Sequence, residues 1–294
     1  MTTVGDLIET TRRHLYGLQQ AKYNFLTATI TDSASTLTCD LPMGGIVSGA
    51  LLSCEDEIMF VKSVSGQTAT VARGWEDSVA AAHTAAATIE VQPRFPRFAI
   101  RQALLDELRS WPRTIFKSTQ VNLSGLTTTR AYDITGASAS TLYRVTEVRR
   151  SPYSGDTTWP IIETAKWEHA RNMAVADFPS THAIFLKGDL ASAETLRVTY
   201  TGPLTTSTFA DATTTDTIGI PDSCLDVPPY GAVWRLLAPR EIKRTFTESQ
   251  GEPRHSDEVP VGSAMRTAAG MKALRDQRIV EEGDRLAATV AIRW

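Results

Sequence analysis

Cysteine is scarce in this sequence: Cys39, Cys54 and Cys224 are the only three in 294 residues. The number is odd and no Cys-x-x-Cys spacing occurs. A disulfide framework and a paired-cysteine zinc site are therefore excluded, and all three read as small buried hydrophobes. Long apolar runs are missing as well. No stretch approaches the roughly 20 residues that a bilayer-spanning helix needs, and the polar, acidic N-terminus does not read as a signal peptide. The chain is expected to be made and used in a cytoplasm-like compartment, with no membrane partner. An excess of either charge is absent too, since 30 Lys and Arg against 33 Asp and Glu leave a formal net charge of -3. That removes the strongly basic face by which a sequence-reading nucleic-acid domain is known. The five histidines are spread along the chain without a cluster.

Catalytic signatures are equally thin. There is no Walker or Rossmann phosphate loop, no His-Glu-x-x-His pair and no Gly-x-Ser-x-Gly elbow. Ala81-Ala82-His83-Thr84 could pass for the histidine loop of a trypsin-like protease, but no Gly-Asp-Ser-Gly-Gly segment follows to supply a nucleophile. Acidic runs such as Glu55-Asp56-Glu57 and Glu281-Glu282 read as solvated faces. Trp167-Glu168-His169 reads as surface, because one histidine beside one acid lacks the convergent set a metal needs. The balance favours a structural protein over an enzyme, with no cofactor or metal.

What the sequence does have is helical pattern in separated pieces. Asp6 to Gly17 places Leu7, Ile8, Leu15 and Tyr16 on one side and stops at a glycine. Phe98 to Trp111 carries Ile100, Leu104, Leu105, Leu108 and Trp111 before Pro112 ends it. Pro228 and Pro229 lead into a third helix with Tyr230, Val233, Trp234 and Leu237 at helical spacing. Pro260 to Val290, rich in Ala, Arg, Glu, Met and Leu, predicts a longer fourth helix beyond a polar loop.

Between the helices the sequence alternates as strands do. Phe25–Ile30, Leu37–Leu41, Ile58–Val61, Thr68–Val71 and Ala87–Val91, separated by turn signals, predict a compact antiparallel unit. Its most specific feature runs from Val71 to His83, where a strand ends at Arg73, Gly74 supplies an unusual backbone conformation, and small residues return through His83. His83 reads as a turn-stabilising side chain bonded to backbone. A second β-rich stretch takes in Thr119–Leu123, Ala131–Ile134, Leu142–Arg150, Ala183–Leu186 and Thr195–Tyr200 and suggests a β-sandwich. Trp159, Trp167 and Phe178 fall within it and read as core or loop packing. A Thr- and Asp-rich linker follows, with a possible strand at Thr217–Ile220. The last residues, Thr289 to Trp294, alternate like a strand and end on an aromatic.

The expected class is α+β: a small helical core from separated segments with two antiparallel β-rich insertions. The expected boundaries are 1–22 for the first core helix, 23–97 for the small β module and 98–113 for the second core helix. Residues 114–205 form the β-sandwich insertion, 206–290 the linker and C-terminal helical pair, and 291–294 a C-terminal arm.

The run Arg73-Gly74 through Ala80-Ala81-Ala82-His83 resembles an Arg-Gly, small-residue, Ala-Ala-x-His element that recurs in small β modules of tailed-bacteriophage tail and neck proteins, with Asp77-Ser78 where a Gly-Thr pair is typical. The order helix, β insertion, helix, β insertion, helical pair and tail resembles the head-to-tail connector, or adaptor, proteins of these phages. Podoviral tail tubular protein A is an elaborated relative in that group. The resemblance implies a virion protein of the neck, made in the host cytoplasm, whose copies pack side by side into a twelve-fold ring. Its partners would be the portal protein on one side and a tail-side stopper or tail tube protein on the other, with DNA passing through without sequence-specific binding. Ile292, Arg293 and Trp294 are then candidates to anchor in a portal groove. Glu281, Glu282 and Asp284 are candidates to line the lumen and repel phosphate. Arg73, Gly74 and His83 are candidates for the β-module turn.

Two other readings remain open. A smaller, mainly β stopper or tail-terminator protein would leave the long helices unexplained. A glycan-binding or depolymerising tail protein would bring Trp159, Trp167 and an acid such as Glu163 or Glu168 together in an exposed groove.

Overall fold

A computed structural model of the chain describes residues 1–16, 22–40, 46–123, 130–134, 142–151, 159–188, 195–248 and 263–291, by backbone alone at 240–248, 263 and 289–291. The fold is α+β, with five α-helices and three antiparallel sheets among these residues. In chain order the first elements are α1 (Val4–Tyr16), β1 (Lys22–Phe25), β2 (Thr36–Thr38), β3 (Leu51–Cys54), β4 (Glu57–Ser65), β5 (Thr68–Ala72), β6 (Thr88–Val91) and α2 (Arg97–Arg109). Then come β7 (Lys117–Leu123), β8 (Ala131–Asp133), β9 (Arg144–Ser151), β10 (Trp167–Arg171), β11 (His182–Leu186) and β12 (Thr195–Gly202). The chain continues with α3 (Thr215–Ile218), α4 (Val227–Glu248) and α5 (Ser263–Ala291). The chain forms two compact units, one of residues 2–108 and 226–275, the other mainly of residues 109–225 and α5 from Asp276 onward.

In the first unit six strands pair in the order β1-β6-β3-β4-β5-β2. The outer two also meet: Leu26 bridges Cys39, and the Thr27 amide donates to the Thr38 carbonyl at 3.0 Å. The sheet is thereby closed into a small barrel at that point. Leu26, Leu37, Cys39, Leu52, Cys54, Met59, Val61, Val71 and Ile89 fill its interior. Cys39 and Cys54 are thus the buried hydrophobes their context suggests. β3 has no strand signature strong enough to be read alone; it exists because it pairs on both sides, with β4 and with β6.

Four helical segments complete this unit. Thr3 caps α1, its hydroxyl accepting from the Asp6 amide while Asp6 reaches back to the Thr3 amide. Val4, Leu7, Ile8 and Thr11 are its buried face. The Tyr16 hydroxyl clamps Phe95, accepting from its amide at 2.8 Å and donating to its carbonyl at 3.1 Å. α4 begins with Pro228 and Pro229 inside its first turn, where missing amides leave nothing unbonded. α1 lies against α4, with the His14 and Tyr230 rings 5.7 Å apart. Glu107, on the face of α2 that an apolar pattern would reserve for hydrophobes, is fully buried and accepts from Arg235 at 3.1 Å and Arg275 at 2.6 Å. One carboxylate joins α2, α4 and α5. It has room because Gly231 has no side chain: a Cβ there would fall 2.1 Å from the Glu107 carboxyl carbon.

The second unit is a sandwich of two three-stranded sheets, β10-β11-β8 and β7-β12-β9. Tyr132, Trp167, Ile184 and Leu186 from the first meet Leu123, Val145, Val148, Leu196, Val198 and Tyr200 from the second in one core. Two expectations fail here. Thr217–Ile220 is not a strand: Thr214 caps a short helix by accepting from the Thr217 amide, and Gly219 ends it at φ 89°. Local capping overrides the β preference of the Thr and Ile residues. Trp167-Glu168-His169 is not a surface patch but the start of β10, and Trp167 is buried with its indole donating to the Ile162 carbonyl. The strand-like pattern from Thr289 is also overruled, since α5 runs on through Ala291. The polar loop expected between α4 and α5 lies outside the described residues.

Candidate functional site

The barrel concentrates its charges at one hairpin. β3 and β4 are joined by a two-residue turn, Glu55-Asp56, with Glu55 at φ 51°. Because side chains of a tight turn splay apart, the three consecutive acids Glu55, Asp56 and Glu57 point in different directions. Glu55 meets His83 Nδ1 at 3.0 Å. Asp56 pairs with Arg101 of α2 at 2.7 Å. Glu57 faces inward with its side chain fully buried. The expectation of a solvated acidic face is corrected for Glu57: in β4 it falls on the strand's inner side, where only a paired carboxylate survives desolvation.

Glu57 is a hub. Arg73 grips it with both ends of its guanidinium, Nε to Oε1 at 2.6 Å and Nη2 to Oε2 at 2.7 Å. The amides of Gly74 and Ala81 donate to it at 3.0 and 3.1 Å, and His83 Nε2 lies 2.9 Å away. Arg73 donates further to the carbonyls of Thr31, Ala34 and Ala81. Burial alone would raise the Glu57 carboxyl, but the hydrogen bonds from Arg73, His83 and the two amides outweigh it and hold the group down at about 2. Contact with the Cys54 sulfur, then hydrogen bonds to Glu57 and Glu55, push His83 up to about 10 against the opposing pull of burial. With a carboxylate at each ring nitrogen, His83 is a doubly protonated imidazolium.

Arg73, Gly74 and His83 are therefore brought together, as their shared sequence element implies, and the residue that unites them is Glu57. His83 does not bond backbone through its side chain, as expected, but two carboxylates. Gly74 sits at φ 60°, and a Cβ there would meet the Ser78 carbonyl oxygen at 3.1 Å. The cluster does not present chemistry to solvent. It clasps both ends of the loop 74–81 and fixes that loop's exposed crest: Trp75, stacked on Phe60 at 4.8 Å, then Glu76 and Asp77 at φ 52° and 62°, then Val79, 78 % exposed. Beside the crest lies an open groove of about 580 Å³, walled by Ile58, Phe98, Ala99, Ala103, Trp234 and Leu236 and edged by Glu76, Gln102, Asp106 and Arg235.

The other predicted residues lie apart from this site. Glu281 is exposed and held below the usual carboxylate range, mainly by Gln277 and then Arg278. Asp284 is exposed. Glu282 is buried, accepting from Ser223 at 2.8 Å and Arg285 at 2.6 Å with Arg278 at 3.2 Å, so the solvated-face expectation is corrected for it. The approach of α5 there depends on Gly283, whose missing Cβ would crowd Thr114 at 3.1 Å. Ile292, Arg293 and Trp294 lie outside the described residues. Trp159 lies under the Arg197 guanidinium at 3.9 Å, and Trp167 is in the sandwich core. The expectation that no histidines cluster is corrected by one pair: β10–β11 pairing sets His169 Nε2 3.1 Å from His182 Nδ1, and burial and the neighbouring ring lower His169 to about 4.

Among the described residues no helix is long and apolar enough to cross a membrane, and no group of three or more His, Cys, Asp or Glu side chains could hold a metal ion. No protein-family model matches the chain, and no curated protein matches it in sequence.

Proposed function

We propose that the chain is a structural subunit of a bacteriophage neck, forming a ring that joins the portal to the tail and leaves a channel for DNA. The observation that carries this reading is the helical core drawn from sequence-distant segments. α1, α2, α4 and the first half of α5 are held together by the His14–Tyr230 contact and the buried Glu107–Arg235–Arg275 set, while the barrel sits between α1 and α2 in sequence and the sandwich between α2 and α4. That is the order of elements on which the resemblance to connector proteins rests. A further support is that α5 leaves Met265, Leu274 and Val280 about half or more exposed, apolar surface of the sort that side-by-side copies would cover.

In this reading Ile292, Arg293 and Trp294 engage the portal, a tail-side stopper or tail tube protein binds the opposite end, and the exposed Asp284 faces DNA, with Glu281, exposed but bonded to Gln277 and Arg278, beside it. Glu282 is already committed to Arg278, Arg285 and Ser223. The glycan reading asks Trp159 and Trp167 to share an exposed groove; Trp167 in the core and Trp159 beneath Arg197 do not favour it.

The test is the mass of the purified protein in solution, alone and with its cognate portal, by light scattering or mass photometry. The expected result is a ring, either alone or assembled on the portal. A persistent monomer that ignores portal and binds host polysaccharide would overturn the proposal.

A further inference from the structure

The groove beside the clasped loop has features that packing of the unit alone does not require. Its walls are apolar and aromatic, from Phe98 and Ala99 of α2 and Trp234 and Leu236 of α4. Its edge carries Glu76, Gln102 and Asp106, with Asp77 next to Glu76, and Arg235, whose charge is matched by Glu107. These three acids are exposed and make no ion pair or side-chain hydrogen bond among the described residues. Their neighbours behave differently: Glu9, Glu55, Asp56, Glu57, Glu90 and Glu107 each meet an arginine or His83. Glu76 and Asp77 also hold consecutive left-handed backbone conformations, which a non-glycine residue adopts at a cost. A fully buried Arg–Glu–His clasp is used to keep them there. Trp75 and Val79, on the same loop as Glu76, are exposed apolar side chains.

A surface of apolar walls with an unpaired acidic rim selects a ligand with the inverse pattern: an aliphatic or aromatic side chain to fill the groove and a cation to meet the rim. The chain carries such a segment outside the described residues, Ile292-Arg293-Trp294. We propose that the groove between α2 and α4 receives this segment from a second copy of the chain, with Ile292 or Trp294 against Phe98 and Trp234 and Arg293 between Glu76 and Asp106. This joins copies head to tail, the heterologous kind of contact that closes rings. It deepens the ring reading and rests on it for its biological setting. The arm then has two alternative docking sites, the neighbouring copy's groove in the free ring and the portal once the ring has docked on it.

The experiment uses a fluorescent peptide of residues 287–294 titrated by anisotropy into the full chain carrying Ile292→Ala and Trp294→Ala, so that its own arm does not compete. Saturable binding is expected. The Glu76→Lys, Asp106→Lys pair should weaken it about tenfold or more, and a peptide with Arg293→Glu should be weakened similarly on the unchanged groove. Combining the reversed groove with the reversed peptide should restore binding, which a misfolded variant could not do. Absence of saturation at about 1 mM peptide, or binding indifferent to both reversals, overturns the proposal. If the peptide fails to bind but the reversed groove loses portal, the groove belongs to the portal and not to a second copy. Because no portal is needed for the peptide titration, its failure leaves the neck assignment standing, and failure of portal binding leaves the titration interpretable.

Discussion

Glu57 shows how much of this molecule depends on single charged atoms in dry places. Removing one partner of a buried ion pair leaves the other uncompensated, at about 3–5 kcal/mol. Glu57→Gln is therefore expected to lower the stability of the barrel unit by an amount in that range, read by chemical denaturation. The same cluster sets a pH dependence. His83 is raised from 6.5 to about 10, so its contribution is complete below pH 6.5 and is lost as pH rises toward 10. Glu57 is depressed from 4.5 to about 2, so its contribution is complete above pH 4.5 and is lost as pH falls toward 2. Stability measured against pH should be greatest between those limits, and His83→Gln should flatten the alkaline side. A second residue-scale prediction concerns Gly231. Gly231→Ala drives a methyl into the Glu107 carboxyl and should cost on the order of 3 kcal/mol by parting it from Arg235 and Arg275. Little of this was legible in sequence. Arg73, Gly74 and His83 announced themselves as a set, but Glu57 looked like the third member of a solvated acidic run, and nothing in the helical pattern singled out Glu107 between Leu104 and Leu108. A run of three acids carries no mark of the turn that sends Asp56 to Arg101 while Glu55 and Glu57 close on His83 from its two ring nitrogens.

At the scale of elements the reading was better, because periodicity survives where contacts are unknown. α1, α2 and α4 were visible from apolar spacing with proline or glycine at their ends, and α5 from its helix-favouring composition. The strands with alternating β-branched residues were visible too. β1, β3 and β10 were not: the strand expected at Phe25–Ile30 lies instead at Lys22–Phe25, Leu51–Cys54 is too short to alternate, and Trp167–Arg171 is polar on its open side. Thr217–Ile220 and Thr289–Ala291 misled in another way: both are β-rich in composition yet helical, one because of its cap and the other because a long preceding helix extends at low cost. Helix α5 offers a direct test of how far propensity still matters. Gly270 is exposed in its interior, with nothing within 4 Å of an added Cβ. Gly270→Ala should therefore stabilise the helix by about 0.5–1 kcal/mol, measurable as a small rise in Tm. An unchanged or lowered Tm would mean the glycine serves a contact with another copy.

On the scale of the whole chain, two compact units with separate cores predict unfolding that is not a single two-state event. Calorimetry should resolve two transitions. Glu57→Gln should move only the one belonging to the barrel unit, and Trp167→Ala, which empties a large volume in the sandwich, should move only the other, by an amount corresponding to about 3–5 kcal/mol. A joint shift of both transitions by either change would contradict that independence. The closed barrel has a role at this scale as well. In the ring proposed above, this module's two outer strands already meet at Leu26 and Cys39, so association through it would fall mainly to side chains and loops. The β3–β4 turn carries a different constraint. Hairpin tips are ordinarily where related chains gain and lose residues most freely. At this tip a single inserted residue would rotate Glu55, Asp56 and Glu57 together, disconnecting His83, Arg101 and Arg73 in one event. Descendants of this gene can be expected to vary in the identity of many surface positions while the spacing from Cys54 to Ile58 stays fixed, a signature that a scan of single-codon insertions along the barrel would display as one sharply intolerant site.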